Sequence, residues 1–484
     1  MQMQNNLYNL LFFPELILLT GSLCILLLGL FIKKNNFSII SNLSTILLVL
    51  TGIVTYIDRN TSFLNFNNFF IEFNFIKFFQ LLVIFGSISV ILISKNYYKD
   101  QKLVFFEIPI LILFSTFGML LLIASNNLMA MYLGIELQSL TLYVIAAIKR
   151  DSLKSSESGL KYFILGALSS GILLYGCSLV YGFTGNTNFD DIHSVISSLE
   201  KIELGLIFGL IFILVGLAFK ISAVPFHMWT PDVYEGAPTS ITAFFAIVPK
   251  VSAVALIYRF CLEPFSSLYN EWSQIIVFLS IASMFLGSIA AIRQTNIKRL
   301  LAYSSIGHVG YILIGLVSFS DEGTKGAAIY ILIYLFMNIA IFSILLSLKF
   351  ENKYIEKIED LSGLSKVKPF LSLSIAIIML SMAGIPPFAG FFGKFYIFAS
   401  ALNSNLYSLA VFGVLSSVIA AFYYLRIIKV IYFDDYKSTN YENNQTNISK
   451  FILIISILII SLFILFPSLF TSLSIEASKG FFYK

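Results

Sequence analysis

Long apolar runs alternate with short polar junctions along the whole chain. Each run has roughly 18 or more residues, which is the length that a helix needs to cross the hydrocarbon core of a bilayer. The pattern therefore predicts an all-α polytopic integral membrane protein with about 14 transmembrane helices. The runs lie at 8–32, 37–57, 75–94, 103–123, 126–147, 160–183, 203–222, 239–260, 273–292, 299–318, 326–348, 369–402, 406–432 and 451–472.

The composition supports this fold class and excludes a soluble domain. Of the 484 residues, 58% are hydrophobic and only 12% are charged. The first residues, MQMQNNLYNLL, lack the basic region and cleavage site of a signal peptide, so the first run is expected to stay as a helix. Cys24, Cys177 and Cys261 lie far apart without a CxxC motif. They are expected to be small apolar side chains and not metal ligands.

Basic residues concentrate at every second junction. Because loops on the cytoplasmic side of a membrane protein carry an excess of lysine and arginine, this asymmetry predicts that both termini face away from the cytoplasm or matrix. The residues of the basic side are Lys33, Lys34, Lys95, Lys99, Lys102, Lys149, Arg150, Lys154, Lys161, Arg293, Lys298, Arg299, Lys349, Lys353, Lys357, Lys366, Lys368, Arg426, Lys429, Lys437 and Lys450.

The loops are too short to hold a folded redox or nucleotide-binding domain, and the chain has no GxGxxG, GxxxxGK or Cys-rich stretch. The longest polar connections, 351–369 and 436–449, both fall on the basic side. The first mixes apolar and charged residues, so it is expected to be an interfacial helix or a partner contact. On the opposite side, 68–75 alternates in part and is expected to form a short strand or hairpin.

Prolines interrupt two of the runs. Pro225, Pro231 and Pro238 cannot all sit inside a regular helix, because each removes a backbone donor and clashes one turn back. Pro386 and Pro387, flanked by glycines, predict a second break inside a run too long for one span.

Five spans separate the two breaks. Paired interruptions at corresponding positions indicate an inverted repeat, in which spans 4 to 8 match spans 9 to 13 and an ion path lies beside each break. The predicted organisation has four parts. These are N-terminal helices 1–3 (1–102), a first five-helix repeat (103–260), a second repeat (261–432) and a C-terminal helix 14 (433–484).

Ionisable residues inside the apolar runs are candidates for function, because a charge at a helix centre costs roughly 2.5–3.5 kcal/mol on insertion scales. Glu136 and Lys250 lie too deep in their runs to reach water. Lys220 lies near the end of its run, so a lysine that extends to the membrane surface is an alternative. Lys394 follows Pro387 by about two helical turns.

For the histidines and the remaining charged residues, simpler structural interpretations are possible. His308 is mid-span, and it is either a hydrogen-bonded core residue or part of a proton relay. His227 beside the first break is either structural or a link from the site to the basic side. Glu15, Glu107 and Lys77 are expected to be interfacial. His193 is expected to be a solvated loop residue.

Several motifs carry a resemblance to a known family. They are VPFHMWTPDVYEGAPT followed by PK, LGIELQSLTLYVI, IKRLLAYSSIGHVGYILIG, DLSGL and LSMAGIPPFAGFFGKFYIF. In this order, over nearly the whole chain, they resemble the subunit N family of proton-pumping NADH:quinone oxidoreductase, respiratory complex I, whose mitochondrial members are called subunit 2. The first motif is specific for this family among the antiporter-like membrane subunits of complex I.

The resemblance implies 14 helices, two of them discontinuous, in two inverted five-helix repeats. It implies that Glu136 and Lys220 are the paired acid and lysine, Lys250 the central lysine, His308 the intervening histidine and Lys394 the lysine by the second break. NADH, FMN, iron–sulfur clusters and quinone would be bound by partner subunits and no cofactor by this chain. The partners would be an antiporter-like paralogue, small membrane subunits and lipids, without nucleic acid.

These residues suggest a mechanism. If Glu136 stabilises protonated Lys220 and then moves or takes up a proton, Lys220 loses its partner and passes its proton to Lys250, and onward past His308 to Lys394. The membrane would be the bacterial inner membrane or the mitochondrial inner membrane. Two alternatives stay open: a subunit of a multisubunit sodium/proton antiporter, and a structural scaffold without transport.

Overall fold

The computed structural model describes residues 14–32, 34–57, 64–65, 68–435, 440–478 and 481. Nearly all of this is helical. The first half of the chain contains α1 (Pro14–Phe31), α2 (Asn36–Ile57), β1 (Leu64–Asn65), β2 (Phe70–Ile71), α3 (Asn74–Asp100), α4 (Glu107–Ala124), α5 (Leu128–Ala146), α6 (Leu153–Thr184), α7 (Phe189–Ser198), α8 (Leu204–Ile221), α9 (Trp229–Gly236) and α10 (Thr239–Leu262).

The second half repeats this helical character. It contains the short 3-10 helix Ser266–Leu268, α11 (Tyr269–Ile292), α12 (Ile297–Val317), α13 (Asp321–Leu345), β3 (Leu348–Phe350), β4 (Lys353–Tyr354), the 3-10 helix Ile358–Leu361, α14 (Leu364–Val367), α15 (Pro369–Ala383), α16 (Ala389–Asn403), α17 (Tyr407–Tyr432), β5 (Tyr441–Asn443), α18 (Asn447–Leu462) and α19 (Pro467–Ser478).

The helices confirm the fold class. Among the described residues, 12 helices are long and apolar enough to cross a membrane, and α15 and α18 are shorter apolar helices. Several helices begin where a polar side chain accepts a hydrogen bond from the first turn, as Asn127 does for α5 and Ser152 for α6. The predicted start of the first span at residue 8 lies outside the described residues.

Both predicted helix breaks are present. The chain leaves α8 after Ile221 and re-enters a helix at Trp229, and it leaves α15 after Ala383 and re-enters one at Ala389. Of the other prolines near the first break, Pro231 lies in the first turn of α9, where a backbone donor is not required. Pro238 directly precedes α10.

The predicted last span, 451–472, is wrong in its extent. The structure has α18 ending at Leu462 and a separate helix, α19, beginning at Pro467. Proline is favoured at the first position of a helix and disfavoured in its interior, so Pro467 begins a new helix instead of continuing the old one. The C-terminal part is therefore two helices and not one helix 14.

The loops gather on two faces, in agreement with the alternation of the basic junctions. On the basic face, Asp100 accepts from Lys349 at 2.7 Å, from Tyr354 at 2.7 Å and from Asn444 at 3.1 Å. On the opposite face, the fully buried Arg259 donates to the carbonyl oxygens of Ile123 and Ser125 at 2.7 and 2.6 Å, and to Glu263. Junctions far apart in sequence thus meet on the face to which the charge pattern assigns them.

The loop predictions are partly confirmed. The expected hairpin is present, since β2 pairs antiparallel with β1. The expected interfacial helix at 351–369 is replaced by β4, a 3-10 helix and the single turn α14, and β4, β3 and β5 form one small antiparallel sheet. Residues 436–439 of the second connection lie outside the described residues. The 184–202 junction contains a helix, α7.

The core is arranged around α10. All residues of the most apolar 18-residue segment of α10 are buried inside the protein. In the equivalent segments of α12 and α13, 94% of the residues are buried. The outer helices α1, α6 and α17 bury only 33–39% of theirs, so their large apolar side chains are left for lipid or for partners. A polar group on α10 therefore lies as far from water and lipid as this fold allows.

Helix neighbours recur between the two halves of the chain. In the first half α4 packs on α5, α5 on α6, α6 on α9, and α10 on α4 and α8. In the second half α11 packs on α12, α12 on α13, α13 on α16, and α17 on α11 and α15. Each of these helix pairs in the first half thus has a counterpart at the corresponding position of the second half.

Candidate functional site: a line of buried lysines and hydroxyls

One face of α5 carries the polar residues of the first half. Glu136, Ser139 and Tyr143 are spaced by three and four residues, so they lie on the same side of the helix. Close backbone packing fixes this face, since a Cβ atom on Gly118 of α4 would lie only 2.7 Å from the backbone nitrogen of Gln138. The α4–α5 contact thus sets the position of Glu136.

Lys220 lies in the last turn of α8 and points toward this face. Its Nζ donates to Ser139 Oγ at 2.6 Å and lies 5.9 Å from the ring centre of Tyr143. The residue is 9% exposed. The alternative of a lysine that extends to the membrane surface is therefore wrong, because the ammonium group binds a neighbouring helix inside the protein.

No ion pair joins Glu136 and Lys220 among the described residues, so the predicted stabilisation of Lys220 by the opposite charge of Glu136 would act over a longer distance. The partner of Lys220 is Ser139, one turn along α5 from Glu136. The Oε1 atom of Glu136 is buried and has no hydrogen-bond partner in the described part of the chain. A buried carboxyl oxygen without a hydrogen-bond partner is unfavourable, so this position favours a further polar partner for that atom.

The first break is held open by specific hydrogen bonds. Ser222 adopts a left-handed conformation (φ 64°) and ends α8. The backbone N–H of Val224 donates to Ser283 Oγ at 2.8 Å, and Trp229 Nε1 donates to the carbonyl oxygen of Phe219 at 3.0 Å. Ser283 belongs to α11, so a side chain from the second half satisfies the interrupted backbone of the first.

His227 lies in this same break. It is 5% exposed, and its Nδ1 has no hydrogen-bond partner within the described ranges. Pro225 and Pro231 flank it along the chain. The geometry thus places His227 at the break beside Pro225.

Lys250 lies in the middle of α10, directly after Pro249, and is 4% exposed. Its Nζ donates a short hydrogen bond to Ser305 Oγ and lies 5.5 Å from the ring centre of Tyr234. Tyr234 belongs to the half-helix α9, and Ser305 to α12. Lys250 thus contacts both α9, the half-helix that follows the first break, and α12, a helix of the second half.

His308 lies one turn further along α12. Its two ring nitrogens meet two tyrosine hydroxyls, Nδ1 with Tyr330 at 2.6 Å and Nε2 with Tyr424 at 3.0 Å. The Tyr424 hydroxyl also meets Ser304 Oγ at 2.5 Å. The histidine is therefore a fully hydrogen-bonded residue of the core, as one of its two readings predicted, and its partners are themselves groups that can carry protons.

Lys394 lies on α16, beyond the second break, and its side chain reaches back across it. Its Nζ donates to the carbonyl oxygen of Ala383, the last residue of α15, at 2.9 Å. It also lies 4.8 Å from the ring centre of Tyr311. Gly384 adopts φ 84°, and a Cβ atom there would lie only 2.9 Å from the Lys394 side chain. The glycine thus makes room for the lysine.

Lys220 and Lys394 share one physical feature despite their different places in the sequence. Lys220 lies in the last turn of α8, before the first break, and the Lys394 side chain reaches back to the last carbonyl group of α15, before the second. The C-terminus of a helix carries a partial negative charge, so it stabilises a cation there. This electrostatic environment holds an amine at membrane depth without a carboxylate in contact with it.

A groove leads to Lys394 from outside the bundle. It has a volume of about 460 Å³ and lies between α16 and α17, lined by Lys394, Phe391, Phe395, Phe398, Asn403 and Ser417 among others. Asn403 ends α16 at the face opposite the basic one. The groove therefore connects the region of Lys394 with that face.

A cluster of charged side chains on the basic face fixes the C-terminal part of α9. Asp232 accepts from Lys161 at 2.8 Å and from Arg299 at 3.0 Å, and Glu235 accepts from Arg299 at 3.0 Å and from Lys154 at 3.3 Å. These residues line a cavity of about 220 Å³. The half-helix that carries Tyr234 is thus tied at its outer end to α6 and α12.

The remaining charged candidates lie apart from this line. Glu15 and Lys77 are near span ends as predicted, but they are buried among helices, where Gln80 donates to Glu15 at 2.6 Å and Lys77 lies 3.9 Å from Glu72. Glu107 is exposed in the first turn of α4, in agreement with an interfacial position. His193 is half-buried and meets Ser266 at 3.2 Å. No group of metal-binding side chains was found among the described residues.

Sequence reasoning missed the hydroxyl partners. Ser139 and Ser305 each lie three residues from a predicted site residue, Glu136 and His308 respectively, so helical spacing could have identified them. Tyr330 and Tyr424 lie 22 and 116 residues from His308, and only the tertiary structure brings them to it.

The fold and the site together define a class of protein, a polytopic membrane protein with two broken helices and buried lysines of the cation/proton antiporter type. Residues 125–420 match the family model described as NADH:quinone oxidoreductase/Mrp antiporter, TM, so the chain belongs to this family.

Relatives and solved structures narrow the resemblance. The chain is 54% identical over 458 residues to NADH-quinone oxidoreductase subunit N of Pelagibacter ubique, covering 94% of this chain and 96% of that protein. It is similar to a chain of respiratory complex I from Thermus thermophilus with bound aureothin, with 28% identity, a TM-score of 0.80 and coverage of 95% and 99%. A chain of the Mrp complex from a Dietzia species has the same fold, at 20% identity, a TM-score of 0.79 and coverage of 97% and 96%.

Proposed function

We propose that the chain is the antiporter-like subunit N of a proton-pumping NADH:quinone oxidoreductase, and that it moves protons across the membrane through Glu136, Lys220, Lys250, His308 and Lys394. NADH oxidation and quinone reduction would take place in partner subunits that hold FMN, iron–sulfur clusters and quinone. The names of the close relatives support this reading over the sodium/proton antiporter, because the fold itself is shared by both classes.

One observation supports the relay above all others: the three lysines of the proposed path are held by neutral acceptors. Lys220 and Lys250 donate to serine hydroxyls, and Lys394 donates to a backbone carbonyl oxygen. A lysine in contact with a carboxylate is kept charged, whereas a lysine held by neutral groups can lose its proton without leaving an unpaired anion. A hydroxyl can also reverse its role and donate to the neutral amine.

The input step needs Ser139 as an intermediary. Because Glu136 and Ser139 share one face of α5, a change in the charge or position of the Glu136 carboxyl acts on Lys220 across the Ser139 hydroxyl. When Glu136 is ionised, it stabilises the charge on Lys220 from a distance. When Glu136 takes up a proton, that stabilisation is lost, and the proton of Lys220 moves toward Lys250.

Buried polar atoms beside this line favour a hydrated passage. The hydroxyls of Tyr143, Ser222, Thr230, Tyr234 and Tyr334 are buried and have no hydrogen-bond partner within the described part of the chain. Such groups are usually satisfied by ordered water when protein partners are missing. Water at these positions would connect the lysines that do not touch one another.

We propose that the two halves are inverted repeats, over 103–260 and 261–432. The recurrence of the same helix neighbours in both halves supports this division. Because each repeat has five spans, an odd number, the second would enter the membrane from the opposite face. The basic face would be cytoplasmic or in the matrix, with both termini on the other side. The exposed apolar helices would meet other complex I membrane subunits and lipids.

The proposed function is tested with Glu136→Gln, which keeps the shape of the side chain and removes its charge. In sealed inverted membrane vesicles that contain the whole enzyme, we expect NADH-driven proton uptake to fall by about tenfold, or about 1.4 kcal/mol. Glu107→Gln, at an exposed acid, is the matched control and should pump normally. Normal pumping by Glu136→Gln at a normal subunit level would remove Glu136 from the path.

The same vesicles separate the two transport classes. An imposed sodium gradient without NADH should produce no proton movement that depends on Glu136. Sodium-driven proton movement that is lost in Glu136→Gln would favour the antiporter alternative instead.

A further inference from the structure

The surroundings of His308 contain more proton-carrying groups than the proposed relay uses. The residue is 3% exposed, and the rings of Tyr311, Tyr330, Tyr334 and Tyr424 surround it with centroid distances of 5.4–6.5 Å. Each ring nitrogen meets one tyrosine hydroxyl, Nδ1 that of Tyr330 at 2.6 Å and Nε2 that of Tyr424 at 3.0 Å. Both nitrogens of this imidazole are therefore occupied by groups that can donate and accept.

This arrangement can pass a proton in either direction, and each passage leaves the ring in the opposite tautomer. A neutral imidazole has one N–H and one lone pair, so one tyrosine hydroxyl must donate to the ring while the other accepts from it. The two tautomers of His308 correspond to the two opposite orientations of the hydroxyl hydrogens. A proton that enters at one nitrogen and a proton that leaves from the other convert one tautomer into the other without rotation of the ring.

The two tyrosines are linked to different lysines through intermediate residues. The Tyr424 hydroxyl meets Ser304 Oγ at 2.5 Å, and Ser304 is adjacent in sequence to Ser305, which accepts from Lys250. The ring of Tyr330 lies 6.4 Å from that of Tyr311, which Lys394 contacts. Tyr424 is thus linked to the central lysine through two serines, and Tyr330 to the lysine at the second break through the ring of Tyr311.

We propose that Tyr424 and Tyr330 are relay residues that pass protons to and from His308, an inference that rests on the proton-pumping function proposed above. The O–H bond of Tyr424 breaks as an N–H bond forms at Nε2, and the Tyr424 oxygen takes a replacement proton from the side of Ser304. At the other nitrogen the Nδ1–H bond breaks as the Tyr330 oxygen gains that proton and releases its own toward Lys394. One proton moves through, and no tyrosinate accumulates.

The test uses Tyr424→Phe and Tyr330→Phe in the whole enzyme, because each change removes a single oxygen and keeps the ring. Tyr258→Phe is the matched control, since Tyr258 is 1% exposed and its hydroxyl donates to the carbonyl oxygen of Ile312 at 2.7 Å, away from the histidine. His308→Ala is measured beside them. Proton uptake and NADH:quinone reductase rate are recorded in sealed vesicles at matched subunit levels.

We expect Tyr424→Phe and Tyr330→Phe each to lower the rate of NADH-driven proton uptake by about tenfold or more, since a positioned proton-transfer group contributes about 10²–10⁴-fold to a rate. Tyr258→Phe should stay within about twofold of the unmodified enzyme, as expected for a hydroxyl with a structural role. Combining Tyr424→Phe with His308→Ala should cause no further loss, because residues that act as one unit are not additive.

The possible failures are distinguishable. Normal pumping by either phenylalanine variant, together with a loss in His308→Ala, overturns this inference and leaves the proposed function intact. Normal pumping by His308→Ala itself removes His308 from the proposed path. If Tyr424→Phe does not assemble, Ser304→Ala replaces it, since that change removes the hydroxyl bound to Tyr424. Normal pumping by Ser304→Ala overturns the Tyr424 role.

Discussion

Lys250 gives the sharpest test of the relay, because alanine and arginine distinguish an amine that exchanges protons from a charge that only supports the structure. The residue is 4% exposed in the middle of α10 and has two contacts, with Ser305 and with the ring of Tyr234. Alanine removes the charge and both contacts. Arginine keeps the charge but brings a larger group that does not release its proton.

Alanine should affect assembly little. A lysine at a helix centre costs roughly 2.5–3.5 kcal/mol on insertion scales, and this cost disappears in the variant. The lost hydrogen bond from a charged donor contributes about 1.5–3 kcal/mol, and a desolvated cation–π contact about 2 kcal/mol. Gains and losses therefore cancel to within about 2 kcal/mol, and the subunit should insert at a near-normal level.

Pumping should fall in both variants. In water the pKa of the arginine side chain lies more than about two pH units above that of lysine, which is about 10.4. In the same surroundings, the neutral form of arginine is thus about 100-fold scarcer or more, and a step that needs that form slows accordingly. We expect Lys250→Ala and Lys250→Arg each to lose about tenfold or more of the NADH-driven proton uptake in sealed vesicles.

Lys298 is the matched control. It is 3% exposed, and its Nζ donates to the carbonyl oxygens of Glu235 and Ala237 at 2.7 and 2.9 Å. These hydrogen bonds hold the C-terminal end of α9 in place. Arginine should be tolerated there and alanine should lower the subunit level, the reverse of the order at Lys250. Near-normal pumping by Lys250→Arg at a matched subunit level refutes the relay role of Lys250.

Three further predictions concern topology and the two breaks. Cysteines introduced singly into 184–202 and 349–368 should be labelled from opposite sides of the membrane by an impermeant thiol reagent. Changing Pro386 and Pro387 together to alanine should regularise the second broken helix and reduce proton uptake more than subunit level. Ser283→Ala should leave the Val224 N–H at the first break without its partner and reduce proton uptake, at a cost of about 1–3 kcal/mol at that site.

Each of these experiments has its own control. The labelling is carried out after Cys24, the exposed cysteine, has been changed to serine, and labelling of both segments from one side contradicts the alternating topology. Ser280→Ala removes a buried hydroxyl one turn from Ser283 that donates to the carbonyl oxygen of Gly310, and it should have the smaller effect on pumping. Equal effects at Ser280 and Ser283, or full pumping by the proline double variant, argue against a role for the breaks.

Much of the architecture follows from local signals in the sequence. A run of apolar residues long enough to span a bilayer must be helical, because the hydrocarbon core offers no other partner for backbone polar groups. The clustered prolines around Pro225 and Pro386 interrupt such runs, and both breaks occur at the predicted positions. Basic residues at alternate junctions identify the junctions that meet on one face of the bundle.

The same reasoning finds the charged members of the candidate site. Glu136, Lys220, Lys250 and Lys394 stand out because an ionisable side chain is rare in an apolar span and unfavourable without compensation. Hydroxyl groups give no comparable signal, because serine and tyrosine occur throughout membrane helices. A local rule also misplaces the end of the chain, where the apolar run across Pro467 is read as one helix instead of two.

The class of fold, the two breaks and the ionisable residues can thus be predicted from the sequence, because each depends on composition and spacing within one segment. The groups that those residues contact are set by the packing of the helices. Helix packing places Ser139 against Lys220, Ser305 against Lys250, and two tyrosines on the nitrogens of His308. Such contacts join helices far apart in the chain, and their partners are selected by how helices pack, which no local pattern of residues encodes.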